Sequence, residues 1–187
     1  MSENKIPLIP FGHTPDSKEL LSWNLMETSD PPYNYAKLIA TRGLAVVPFV
    51  RISESQNANK LKTCFYSESY LKEWLNTTFL QEYFSEDERK YIRSVDIPSS
   101  KDIEKWFPEE HDRICIPTQF AIDNNAVIFE NNNSLKTCVY WLSDTGRKVG
   151  MSATVILSNG KIYKSAYMAA TNVCVRPVIE VARKEQW

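Results

Sequence analysis

Histidine is almost missing from this sequence: among 187 residues only His13 and His111 carry an imidazole. The first lies in a proline-rich opening stretch and the second in the charged run Glu109-Glu110-His111-Asp112-Arg113, so a Ser-His or Cys-His nucleophilic pair has little to draw on. Glycine is also scarce, at five residues, and none belongs to a phosphate-cradling loop. The four cysteines, Cys64, Cys115, Cys138 and Cys174, show no Cys-x-x-Cys spacing and read as buried reduced thiols. Neither sign of charge is in excess: 22 basic side chains face 23 acidic ones, which leaves no global field to attract nucleic acid or an anionic membrane. The longest apolar run, Leu44 to Val50, is far too short to span a bilayer, and the first twelve residues lack the apolar centre of a secretory leader. These absences predict a soluble cytoplasmic protein without cofactor, nucleic-acid partner or membrane contact.

What is present is apolar and aromatic. With 43% hydrophobic and 12% aromatic residues, a chain of this length fills one core and is read as a single domain over residues 1–187. Residues 1–35 form a Pro-rich opening segment with Trp23, Leu25 and Met26 as anchors, and Leu20 to Met26 fits either a short strand or a helical turn. Residues 67–107 read as a platform of short helices. Tyr70, Leu71, Trp74 and Leu75 recur at helical spacing from a start near Ser67, with Trp74 expected at the centre. Asn76-Thr77-Thr78 should bend the chain, and Phe79, Leu80, Tyr83 and Phe84 give a second apolar face. Ser85-Glu86-Asp87-Glu88 has the form of a capping box, followed by Tyr91 and Ile92 as a buried turn. Ser99 to Asp102 should cap a further helix carrying Ile103, Trp106 and Phe107.

Strand patterns occupy both flanks of the platform. Leu38 to Val50 reads as the first strand region, apolar on both sides of Arg42-Gly43, with Pro48 marking an edge or bulge. Residues 126–182 read as C-terminal strands: Ala126 to Phe129, Thr137 to Leu142, Ala153 to Leu157, a hairpin at Asn159-Gly160, and Val173 to Val181. The class is therefore α+β, with a largely antiparallel sheet joining early and late strands.

Six blocks, SESYLKEWLN, FSEDERKYI, IPSSKDIEKWF, Pro117 to Ala121, Tyr140 to Ser143 and Val175 to Val178, stand in the order seen in a bacterial and phage family of domains of unknown function. The chain resembles that family from Phe11 to Val181. The family in turn resembles the C-type-lectin-like fold of formylglycine-generating enzymes and of the variable proteins of diversity-generating retroelements. The resemblance implies that fold and a ligand-binding face on its loops. Where the family usually has Trp-Trp-Leu-Arg-Ser-Pro, this chain has Tyr140, Trp141, Leu142, Ser143 and Asp144, so the role of that Arg does not carry over.

Candidate sites follow from residue chemistry. Asp123 to Asn125 and Glu130 to Asn132 offer the oxygen donors that calcium takes, although the same residues are ordinary turn formers and no metal is expected. Arg176 between Val175 and Pro177 reads as a structural cation paired with a carboxylate, with a pocket-facing role as the alternative; Trp74 and Trp141 read as structural too. The partner-binding residues are expected in the polar loops 143–150 and 164–172: Asp144, Arg147, Lys148, Tyr163, Lys164 and Tyr167. The expected function is a non-catalytic module that binds a protein or carbohydrate. The alternatives are a mobile-element protein that blocks a host factor and a metal-dependent oxidase of the formylglycine-generating type.

Overall fold

The computed structural model describes residues 8–28, 35–51, 65–93, 112–124, 138–146 and 152–182. β1 (Leu8–His13) pairs antiparallel with β2 (Leu20–Thr28), which pairs antiparallel with β3 (Tyr35–Ala40). The Leu20 to Met26 segment is thus strand. Leu20 is exposed while Leu21 and Trp23 are buried, the two-residue period of a half-covered sheet. After Thr41-Arg42-Gly43 comes β4 (Ala45–Val46), which ends sooner than the apolar run suggests. Pro48 has no N–H to continue a ladder. The backbone around it is used otherwise: the Val47 carbonyl accepts from Trp141 Nε1 at 2.8 Å, the Phe49 carbonyl accepts from Leu71 N at 3.2 Å, and Val50 N donates to the Met168 carbonyl at 3.0 Å.

The helical platform begins at Ser69 rather than Ser67. Residues 66–68 form a 3-10 turn, and the Ser69 side chain accepts from Lys72 N to open α1 (Tyr70–Trp74). Asn76-Thr77-Thr78 does not bend the chain away. The helix instead widens into a π-helical turn (Leu75–Phe79) and continues as α2 (Leu80–Glu82). Thr77 Oγ1 donates back to the Glu73 carbonyl at 2.7 Å, a bond of the kind that loosens the regular helical ladder. The widening carries Leu75 and Phe79 inward along with Leu71, all three fully buried, and leaves Trp74 only half-buried against Phe79. Phe79, not Trp74, is the centre of the platform.

The capping box forms as its spacing predicts. Ser85 caps α3 (Glu86–Arg89), with Glu88 N bonded to Ser85 Oγ and the Glu88 carboxylate accepting from Ser85 N at 2.8 Å. Tyr91 is exposed, however, and Ile92 belongs to strand β5 (Ile92–Arg93). The helix expected from Ser99 lies outside the described residues. β6 (Ile114–Cys115) and α4 (Gln119–Asn124) follow, so Asp123 and Asn124 end a helix rather than form a turn. The strand expected at Ala126 to Phe129 is outside the described residues.

Two sheets result. Among the described residues the first has the order β1, β2, β3, β11 (Val178–Ala182), with β5 and β6 side by side on the far edge of β11. The second has the order β4, β10 (Cys174–Val175), β7 (Tyr140–Thr145), β8 (Ala153–Ile156), β9 (Ile162–Ala166), antiparallel except for the β10–β7 pair. The stretch Val173 to Val181 therefore serves both sheets, split at Arg176-Pro177. β3 and β4 make the same crossing in reverse at residues 41–43. Their partners match, with Ile39 opposite Val178 and Ala45 opposite Val175, and bonds from Ala40 N to the Pro177 carbonyl (3.0 Å) and from Leu44 N to the Val175 carbonyl (2.9 Å) bridge the corner. One ladder thus runs through both sheets and turns where they meet. The main core lies between the sheets and the platform. Trp23 and Phe84 stack at 6.2 Å, Phe79 and Tyr83 at 4.1 Å, and Phe49 meets the edge of Trp141 at 5.7 Å.

Candidate functional site

The second sheet sets where its loops emerge. Thr145 pairs with Ala153 and Ala153 with Ala166, so the segments that follow β7 and β9 leave from one end. Ile156 pairs with Ile162 at the opposite end, where residues 157–161 turn the chain. Asn159 Oδ1 accepts from Lys161 N there, and Gly160 takes the left-handed conformation at φ 79° while Asn159 does not, a longer loop than the two-residue turn of an ideal Asn-Gly hairpin. At the first end Gly146 N donates to the Ser152 carbonyl at 3.1 Å, and Ser152 Oγ donates to the Lys164 carbonyl at 3.3 Å.

The residues expected to bind a partner are not gathered at this end. Tyr163 and Lys164 are exposed on β9, which is at the edge of the second sheet among the described residues; Tyr163 lies opposite Val155, towards the Ile156–Ile162 end, and Tyr167, just beyond Ala166, is 63% exposed. Asp144 is half-buried, and its carboxylate accepts from Gln119 N at 2.6 Å, next to the Ala121 N to Thr118 Oγ1 bond at 3.0 Å. Both bonds satisfy amides in the first turn of α4, so Asp144 is tied to its own fold. Arg147 and Lys148 lie outside the described residues.

The three residues read as structural are also placed. Trp141 is fully buried with its indole bonded to Val47, and Trp74 packs on Phe79. Arg176 is fully buried at the corner between the sheets, where Nε donates to the Ala40 carbonyl at 2.6 Å and the guanidinium lies 5.5 Å from the centroid of the Tyr140 ring. Burial pulls its pKa down to about 10 against the opposing pull of the Tyr140 phenol, which leaves it cationic at neutral pH. Burial in turn pushes Tyr140 up, and the Arg176 charge opposes that shift. Cys138 and Cys174 border the same small apolar cluster as Tyr140.

Sequence reading missed Asn76. Its Nδ2 donates to the Lys72 and Ile114 carbonyls at 3.1 and 2.9 Å, and its Oδ1 accepts from Arg113 N and Ile114 N at 2.8 and 3.0 Å. This one amide fastens β6 to the platform. The π-helical turn that aims it has no sequence signature beyond weak helix formers, and its partners lie some 38 residues away.

Of the oxygen donors suited to calcium, Asp123 is exposed at the end of α4, and Asn124 Nδ2 donates to the Phe120 carbonyl of its own helix at 2.9 Å. Asn125 and Glu130 to Asn132 are outside the described residues. Among the described residues no three His, Cys, Asp or Glu side chains converge as metal ligands, and no helix is long and apolar enough to cross a membrane. His13 Nδ1 lies 3.9 Å from Glu88 Oε2, in the contact that joins the β1–β2 turn to α3.

A family model described as a domain of unknown function (DUF6273) matches residues 35–115. The match runs from β3 to β6. It covers the platform and the early strands of the shared ladder, β3 and β4, and it stops before β9 and the exposed Tyr163 and Tyr167. No curated protein and no solved structure matches the chain.

Proposed function

We propose that this chain is a non-catalytic ligand-binding or protein-interaction module on a C-type-lectin-like scaffold, and that its partner is a protein or a carbohydrate. The observation that carries the reading is β9 of the second sheet, where Tyr163 stands exposed on the strand and Tyr167 just beyond it, both presented by a strand held by the rest of the sheet. Large aromatics presented on a rigid base supply contact area at little entropic cost, and Lys164 adds a polar neighbour. The scaffold assignment is supported by the pairing of early and late strands in one ladder and by the second sheet drawn mainly from the last third of the chain. Asp144 is left out of the binding set because its carboxylate is committed to α4.

The test compares the parent chain with a Tyr163→Ala/Tyr167→Ala variant, immobilised side by side and presented with a glycan array and a cell lysate. Ligands retained by the parent and lost by an equally stable variant support the reading. Equal retention by both removes the exposed surface of β9 as the binding face. Stoichiometric copper or iron in the purified protein would overturn the non-catalytic assignment.

A further inference from the structure

Cys138 and Cys174 are far apart in sequence and adjacent in the fold. Cys174 opens β10 beside β7, its N–H donates to the Val139 carbonyl at 2.7 Å, and Cys138 is the next residue back along that neighbouring segment. Gly43, in the corner turn, covers the pair. A Cβ on Gly43 would stand 3.1 Å from the Cys174 sulfur and 3.2 Å from that of Cys138, so a glycine is what leaves room for both thiols. The two side chains hydrogen-bond to one another, and both are reduced and partly exposed. Cys115, by contrast, is buried, and its thiol is bonded to the Val178 carbonyl.

We propose that Cys138 and Cys174 form a reversible redox pair, closing to a disulfide across β7 and β10 when the chain meets a small-molecule disulfide of the glutathione class. The Cys138 thiolate attacks one sulfur of the oxidant, releasing one small thiol and leaving a mixed disulfide. The Cys174 thiolate then attacks the Cys138 sulfur and releases the second small thiol. Two protein thiols are oxidised and one disulfide is reduced to two thiols. The order follows from the surroundings. Burial and the neighbouring thiol push Cys174 up to about 11, so Cys174 is the later of the two to act. The bond would close the loop containing β7, β8 and β9 and would lie between β10 and β7, with β8 between it and the strand that carries Tyr163, so the proposal does not rest on what the tyrosines bind.

The experiment incubates the full chain with oxidised glutathione at mildly alkaline pH, followed by intact mass, peptide mapping and thermal melting. The expected product is lighter than the reduced chain by about 2 Da, yields one linked peptide pair containing Cys138 and Cys174, and returns to the start with dithiothreitol. Closing a loop of this length raises Tm by about 10 °C. Cys138→Ser and Cys174→Ser each lose the linked peptide and the Tm gain. Stable glutathione adducts without a link, a link involving Cys64 or Cys115, or four unreacted thiols at equilibrium would each overturn the proposal, and all three are read on the unmutated chain.

Discussion

Asn76 shows how much one side chain holds when every polar atom is used. Its amide satisfies two carbonyls and two N–H groups that belong partly to the platform and partly to β6. Asn76→Ala strands those groups in a part-buried region, and the expected loss is about 2 kcal/mol, from the cost of leaving polar groups unpaired. Asn76→Asp keeps the two bonds to the amides of Arg113 and Ile114 but turns an acceptor toward the two carbonyls, so it is expected to be no better than Ala. Urea denaturation of the three proteins checks the order. A parental midpoint for Asn76→Ala would mean that the amide fastens nothing. Such a residue is hard to read from sequence because its value depends on partners that only the folded chain brings near.

Among the elements, the platform and its cap make separable predictions. Phe79 contacts Trp74, Tyr83 and Phe84 and is fully buried, so Phe79→Ala should cost about 3–5 kcal/mol. Trp74→Ala, at a half-buried position, should cost about 2 kcal/mol, scaled from the same large-to-small penalty. If Trp74→Ala is the more damaging of the two, the assignment of the centre is wrong. Glu88 supplies a pH-dependent contact. Burial alone would raise its pKa, but bonds from the Ser85 amide, the Ser85 hydroxyl and the Gly12 amide, with His13 close by, bring it below its ordinary value of 4.5. A carboxyl whose pKa is depressed by folding contributes stability that is fully present above the unfolded value and is lost as pH falls through the folded one. The parent should therefore lose stability below about pH 4.5 more steeply than Glu88→Gln. Parallel acid limbs would show that the carboxylate charge contributes nothing.

These elements also show which parts of the fold the sequence made legible. The Ser85 to Glu88 capping box is complete within four residues, so its spacing alone specifies it. The helix start shifted by two residues because Ser67 and Ser69 are equally good caps on paper, and the Phe49 carbonyl that receives Leu71 N is remote in sequence. The split at Arg176-Pro177 was hidden because an apolar period of two runs straight through it and says nothing about which sheet each half joins. At the candidate site, strand pairing brings the ends of β7 and β9 to one end of the sheet, and the order of strands and turns in the sequence is enough to suggest that. Asp144 was misplaced as a ligand group because its role depends on α4, which residues 114–122 did not advertise.

For the whole molecule, the ladder that turns between the sheets joins residues 35–46 to residues 174–182. β11 lies inside the first sheet, between β3 and the pair β5 and β6, and β10 lies inside the second, between β4 and β7. Among the described strands, neither sheet is complete without the segment that a ribosome delivers last. During synthesis the N-terminal strands and the platform must wait with apolar faces uncovered, and closure then brings together partners more than a hundred residues apart. Such a topology folds on the slow side for a chain of its size and exposes its intermediates to aggregation. A version terminated at residue 172 is expected to give a far-UV spectrum without a cooperative melt, and addition of a separate peptide covering residues 173–187 is expected to restore one. A cooperative melt of the shortened chain alone would contradict that dependence. Until β10 and β11 are inserted, both sheets leave strand edges unpaired, the template on which another chain can add.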